Sequence, residues 1–345
     1  MKTALTVTTI SHPNACLLAL AQGAGRHDWD FVVAGDETSP RDFHLNACNY
    51  IDIPQQRALD FTFARNCPVR TYARKNVAYL YAMKLGASVI VETDDDNMPQ
   101  QAFWESRSEV CSGISVSSRG WVNVYKYFTR EHIWPRGFAL AMIQAADGTI
   151  NQEELTTTLC PIQQGLADSN PDVDALYRLL LPLPQFFDKD RSVILGTGSW
   201  CPFNSQNTTW FKRAFPLMYL PVHCSFRMTD IWRSFVAQRI AWENGWRVCF
   251  QSPTVLQSRN EHNLLSDFEQ EIPGYLLNQK IVETLGSISL APGEDRVASN
   301  MLLCYDALTS LGAVGPKETE LLSWWLSDCQ HLDACSLRVP VRGRE

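Results

Sequence analysis

The stretch VIVETDDDNMP, Val89–Pro99, decides how the chain is read. Val89, Ile90 and Val91 are β-branched and lead into Glu92 and Thr93, the composition of a buried strand. Three consecutive aspartates follow: Asp94, Asp95 and Asp96. Carboxylates this close raise one another's pKa unless a cation compensates. Hard divalent cations such as Mg²⁺ or Mn²⁺ bridge one or two carboxylates to a substrate's phosphates. An acidic cluster at a strand end therefore reads as a metal–diphosphate site. The plainer alternative is a solvated acidic turn or a helix N-cap, both of which Asp and Asn favour.

Outward from this stretch, strand and helix patterns alternate. Ala4–Ile10 reads as a strand, Asn14–Gly23 as a helix ending near Gly23 and Gly25, Asp30–Ala34 as a strand stopped by Gly35-Asp36, and Tyr50–Ile53 as a short strand ending at Pro54. The run RTYARKNVAYLYAMKLGA, with Val77, Leu80, Tyr81 and Leu85 at helical spacing, reads as a helix with Gly86 as its left-handed terminator, followed by the strand Ser88–Glu92. Such alternation implies βαβ units, a mainly parallel sheet and ligands beyond the strands' carboxyl ends, where Asp36 and the aspartate triplet both fall. Gln100–Leu195 looks irregular. Beyond it, Ser192–Leu195 and Trp246–Gln251 read as strands, Thr229–Asn244 as a helix, and the chain after Tyr275 as helical, with a fraying end. The expected organisation is a catalytic domain over 1–275, split into a nucleotide-binding half (1–99) and an acceptor half (100–275), with a helical extension over 276–345.

The 345 residues carry a net charge of −7, without a basic block, which argues against nucleic acid as a partner for want of a phosphate-binding footprint. Hydrophobic residues make up 45% and charged residues 19%, a globular balance. Neither a signal peptide nor a run of eighteen apolar residues is evident. Eleven scattered cysteines without metal-type spacing fit a reducing compartment. These features place the expected location in the cytoplasm, with peripheral attachment at the inner membrane face left open; Trp324 and Trp325 read as core.

VETDDDN resembles the DXD motif of GT-A glycosyltransferases. The blocks VVAGDETSP, YARKNVAYLYAMKLGASVIVETDDDN, NVYKYFTREHIWPRGFAL, IQQGLADSNPDVDALYRL, CPFNSQNTTW and MTDIWRSFVAQR resemble the STELLO family of GT-A-like glycosyltransferases. A more distant similarity is to the reversibly glycosylated polypeptides, which are nucleotide-arabinose mutases. The resemblance implies an α/β, GT-A-like, Rossmann-related fold and a metal-dependent hexosyl or pentosyl transferase. Its donor would be a nucleotide-sugar, UDP-linked, and its acceptor a glycan or lipid-linked hydroxyl, as in surface polysaccharide biosynthesis. A nucleotide-sugar mutase and a non-catalytic scaffold are the alternatives.

On this resemblance Asp94 and Asp96 hold Mn²⁺ or Mg²⁺, with His262 as a third ligand. Asp36 contacts base or ribose, with Gly35 allowing close approach, and Asp94 and Asp95 face the donor. Arg74, Lys75 and Asn76 open a helix whose free N–H groups and charge suit a diphosphate; the family block favours Arg74 and Asn76 over Lys75. Arg136 pairs with a phosphate or a carboxylate, Arg259 lies on the donor side, and Trp134 stacks on a sugar or is core. Asp168 and Asp172 are candidates for sugar hydroxyls. Asp230 is the candidate general base, against a plain first-turn carboxylate with Thr229 as N-cap.

Overall fold

The strands β1 (Thr3–Thr9), β2 (Asp30–Gly35), β3 (Asn49–Ile51) and β4 (Val89–Thr93) are parallel neighbours in the order β3-β2-β1-β4. The computed structural model describes residues 1–144, 154–258 and 263–336. Parallel pairing needs crossovers. These are α1 (Ala15–Arg26) after β1, and α2 (Ile53–Ala58), α3 (Thr62–Asn66) and α4 (Lys75–Lys84) between β3 and β4. The carboxyl ends of β1, β2 and β4 thus open on one edge.

Local differences from the sequence reading have local causes. The first helix runs through Gly23 and Gly25 to Arg26. Gly23 is there for packing: a Cβ would lie 2.0 Å from the Trp104 ring. The third strand stops at Ile51 because Asp52 caps α2 in a reciprocal pair with Gln55, and Pro54 occupies its first turn. Gly86 ends the α4 segment in the left-handed region, φ 85°, as expected.

The remaining strands are β5 (Asn97–Pro99), β6 (Val110–Val116), β7 (Gly120–Trp121), β8 (Glu154–Leu159), β9 (Ile162–Asp168), β10 (Ser192–Leu195), β11 (Ser199–Trp200), β12 (Asn207–Phe211) and β13 (Val248–Gln257). Between them lie α5 (Ala175–Leu180) and α6 (Thr229–Glu243). From β4 the sheet continues β12-β9-β13-β10-β6-β8 with mixed pairing, and β5 lies on β13. The stretch that looked irregular thus contributes β6, β8 and β9. The last was hidden because its polar residues are interior: Gln163 and Gln164 are buried, their amides donating to the backbone carbonyls of Ser108, Cys160, Gly165 and Asn207. Only Cys160 and Pro161 separate β8 from β9, yet β8 pairs with β6 while β9 lies between β12 and β13. This half of the sheet therefore curls, and Cys111, Cys160, Ile194 and Cys249 form a small core of their own. The described cysteines are free.

Three helices complete the chain: α7 (Leu264–Ser287), α8 (Val297–Ser310) and α9 (Glu318–Ser336). The expected boundary at 275/276 falls inside α7, where Pro273 stands within the helix and Gly274 lets the Met228 sulfur approach. The last helix packs on α3 and α4. Trp325 is buried among Phe63, Tyr79 and Tyr219 and donates its indole N–H to the Pro216 carbonyl. Asp328 accepts the N–H groups of Thr62 and Phe63 at the start of α3. Among the described residues no helix is long and apolar enough to cross a membrane.

Glu92 on β4 and Arg233 on α6 are both buried and joined at 2.7 Å. The carboxylate also accepts the Tyr79 hydroxyl and, at 2.8 Å, the Trp210 indole N–H; Arg233 lies over the Trp210 ring. Arg233→Met leaves Glu92 buried without its cation, which costs about 3–5 kcal/mol. Urea unfolding is expected to show that loss, and the double variant Glu92→Met/Arg233→Met to recover part of it.

Candidate active site

The carboxyl ends of β1, β2 and β4, the loop before β12 and the start of α6 enclose a pocket of about 520 Å³, a usual size for a small-molecule site. Asp94, Asp95 and Asp96 line it together, but their side chains are held by different parts of the fold. Asp94 Oδ1 accepts the Lys75 ammonium and the Tyr72 hydroxyl, each at 2.8 Å. Asp95 Oδ2 accepts the Thr9 hydroxyl at 2.5 Å, and burial raises its pKa. Asp96 Oδ2 accepts the Gln257 amide at 3.1 Å. Splaying the carboxylates over three partners separates charges that adjacency in sequence would crowd.

Lys75 is fully buried; its ammonium also donates to the Tyr72 hydroxyl and to the carbonyls of Thr93 and Ser205. Of the cluster opening α4, Lys75 is thus the residue that meets an aspartate, not Arg74 or Asn76. The guanidinium of Arg74 donates to Gln56 Oε1 and to the Ala64 and Cys67 carbonyls, inside the pocket wall. Asn76 is buried and exchanges two hydrogen bonds with the backbone of Leu220, away from the pocket.

At the other end of the pocket, Arg136 binds two carboxylates: Asp172 at 2.8 Å through Nε and Nη2, and Asp230 at 3.0 and 2.8 Å through Nη1 and Nη2. Its partners are therefore the chain's own carboxylates. Burial opposes the charge on Arg136, but the two aspartates outweigh it and hold its pKa well above the ordinary value. Burial likewise works to raise the pKa of Asp230, yet Arg136 overrides it and holds it below the ordinary value. Asp230 also accepts the backbone N–H and hydroxyl of Ser205. It stands in the first turn of α6, with Thr229 already inside the helix and not its N-cap.

Asp36 lines the pocket with both oxygens engaged by backbone: Oδ1 accepts the Arg70 N–H and Oδ2 the Thr71 N–H. A Cβ at Gly35 would lie 2.3 Å from the Tyr50 hydroxyl, so the close approach there belongs to Tyr50. Trp134 is core, its indole N–H on Asp174 at 2.7 Å. Asp168 accepts Lys189 and the Phe187 N–H. Arg259 and His262 lie outside the described residues.

The pocket also contains residues that the sequence did not single out: Tyr72, Ser205, Arg70, Arg227 and Phe226. Tyr72 and Arg70 flank the recognised helix start, which was the available signal; the others reach the pocket only through the chain's return. Among the described residues no three His, Cys, Asp or Glu side chains converge to cage a cation. Mg²⁺ commonly takes one or two carboxylates and completes its shell with phosphate oxygens and water. Asp94 and Asp96, both facing the pocket, match that donor set.

Residues 227–336 match the family model of the STELLO glycosyltransferases. The chain is 30% identical over 274 residues to an Arabidopsis thaliana protein described as probable glycosyltransferase STELLO2, a match covering 73% of this chain and 35% of that protein. With probable glycosyltransferase STELLO1 from the same plant the identity is 29% over 273 residues, covering 72% and 34%. The match thus spans about a third of the length of these relatives. A solved mycobacterial protein aligns with a TM-score of 0.40 at 10% identity over 80% of this chain and 74% of its own, too loose a likeness to bear on fold or function.

Asp174, two residues beyond Asp172, caps α5 by accepting the Tyr177 N–H at 2.7 Å. Burial pushes its pKa up to about 7, against about 3.9 for a free aspartate. The folded state then binds the extra proton between those values, so this group's stabilisation is complete below about pH 4 and lost as pH rises to about 7. Urea unfolding from pH 4 to 8 is expected to show wild type losing stability with rising pH relative to Asp174→Asn, then levelling.

Proposed function

Because the chain belongs to the STELLO-type family of glycosyltransferases, we propose that its pocket binds a nucleotide-sugar and transfers the sugar to a hydroxyl of a glycan or lipid-linked acceptor. The observation that carries this reading is the convergence of the aspartate triplet with the Asp172–Arg136–Asp230 cluster on one pocket at the strands' carboxyl ends. Transfer breaks the bond between the anomeric carbon and a diphosphate oxygen and forms one to the acceptor oxygen, the acceptor's proton ending on the released diphosphate. The barrier lies largely in the negative charge that grows on the departing diphosphate.

A divalent ion held by Asp94 and Asp96 supplies Lewis-acid stabilisation of that charge when bound. The chain's own part is to hold these carboxylates apart and in place. Lys75 and Tyr72 fix Asp94, Thr9 fixes Asp95, and Gln257 orients Asp96. At the acceptor end, Asp230 is a rigidly held carboxylate with a depressed pKa. A weak base of this kind suits orienting an acceptor hydroxyl by accepting its hydrogen bond better than carrying its proton away. Asp172, sharing Arg136, belongs to the same platform.

Isothermal titration against a panel of nucleoside diphosphates, with Mn²⁺ or Mg²⁺ and then with EDTA, tests the donor site. Metal-dependent binding of one nucleotide is expected, weakened at least tenfold in Asp94→Asn/Asp96→Asn by loss of charged ligands worth about 1.5–3 kcal/mol each. Absence of binding to every nucleotide by folded wild type would overturn the reading.

A further inference from the structure

A nucleoside diphosphate entering this pocket meets six aspartates: Asp36, Asp94, Asp95, Asp96, Asp172 and Asp230. Four arginines line it as well, and three are engaged by buried partners. Arg74 is held by Gln56 and two carbonyls, Arg136 by Asp172 and Asp230, and Arg227 by Glu271. Arg70 differs. Its ion pair is with Glu37 at 2.9 Å, and the two side chains are 71% and 51% exposed. Exposed pairs of this kind are weak and exchange readily.

The backbone of Arg70 is as unusual as its side chain is free to move. Its φ is +57°, the left-handed region that disfavours side chains other than glycine, asparagine and aspartate. Two hydrogen bonds hold it there: Asp36 at the end of β2 accepts the N–H groups of Arg70 at 2.9 Å and Thr71 at 3.0 Å. Thr71 in turn caps the short helix Tyr72–Arg74, which delivers Tyr72 to Asp94. The clasp therefore fixes the turn that carries both Arg70 and the support of the first aspartate. A strained arginine at a pocket rim, held by two dedicated bonds, is an expected place for function.

We propose that Arg70 leaves Glu37 to bind the diphosphate of the donor, with Asp36 holding the left-handed turn that aims it. This rests on the nucleotide-sugar reading of the pocket. It assigns to Arg70 the phosphate contact that the sequence assigned to Arg74, and to Asp36 a positioning role in place of a direct contact with base or ribose. The planar fork of a guanidinium matches two phosphate oxygens at once.

Arg70→Gly separates the side chain from the backbone, because glycine prefers the left-handed turn and keeps the N–H that Asp36 accepts. The expected result is an unfolding midpoint at or above that of wild type. Affinity for the nucleoside diphosphate, titrated with Mn²⁺, is expected to fall about ten- to hundredfold, the loss of a charge-assisted contact. Affinity for the matching unphosphorylated nucleoside falls far less, and Arg70→Lys lies between wild type and glycine. Equal diphosphate affinity in wild type and Arg70→Gly would overturn the proposal, as would parallel losses for nucleotide and nucleoside. Failure of wild type to bind any diphosphate would instead remove the reading of the pocket on which the proposal stands.

Discussion

The buried pair of Glu92 and Arg233 is the constraint on which the site depends. Glu92 lies two residues before Asp94 on β4, and Arg233 one turn after Asp230 on α6. Joining them fixes the distance between the two acidic ends of the pocket. Both partners are held further: Tyr79 from α4 and Trp210 from β12 donate to the carboxylate, and Arg233 donates also to the Asn204 and Met218 carbonyls. A buried ion pair adds little net stability over a well-packed apolar replacement. Its effect here is geometric, since it admits one register between strand and helix.

The same logic of internal pairing governs the pocket itself. Acidic side chains outnumber basic ones in its lining, yet most are balanced by cations or N–H groups already in the fold. Lys75 serves Asp94, Arg136 serves Asp172 and Asp230, and the turn at Arg70–Thr71 serves Asp36. Such pairing offsets the cost of taking carboxylates partly out of water. It also rigidifies them, and a pocket whose charges are held in place loses little freedom on binding a charged ligand.

The C-terminal helices belong to this arrangement. Glu318 on α9 accepts the Tyr219 hydroxyl and the N–H groups of Val222 and His223, in the segment leading to the start of α6. On α7, Glu271 binds Arg227, and Ser225 donates to the Gln270 carbonyl, so the turn carrying Phe226 into the pocket is clamped from behind. What reads in sequence as an extension is, in three dimensions, the backing of the Asp230 end of the pocket.

Much of this protein was legible in its residues because the governing patterns are local. β-branched runs ending in Gly-Asp and in three aspartates mark strands and their carboxyl ends. Gly86 and Gly245, both at positive φ, mark helix stops. Asp94, Asp95, Asp96, Asp36, Asp172 and Asp230 could be named as site candidates from position and resemblance, and they do share one pocket. Other features were not legible, since they depend on partners distant in sequence. Whether Arg74 or Lys75 faces Asp94 is settled by Gln56 and Cys67, which draw one guanidinium inward, and by Ser205, whose carbonyl helps hold the ammonium. The glutamines of β9 look like loop residues until the carbonyls that receive them are in place. Sequence by itself determined the fold class, the strand ends and the acidic character of the site. The tertiary structure alone decided which charges pair with one another and which are left to meet a ligand, because pairing energy depends on distances that only the folded chain sets.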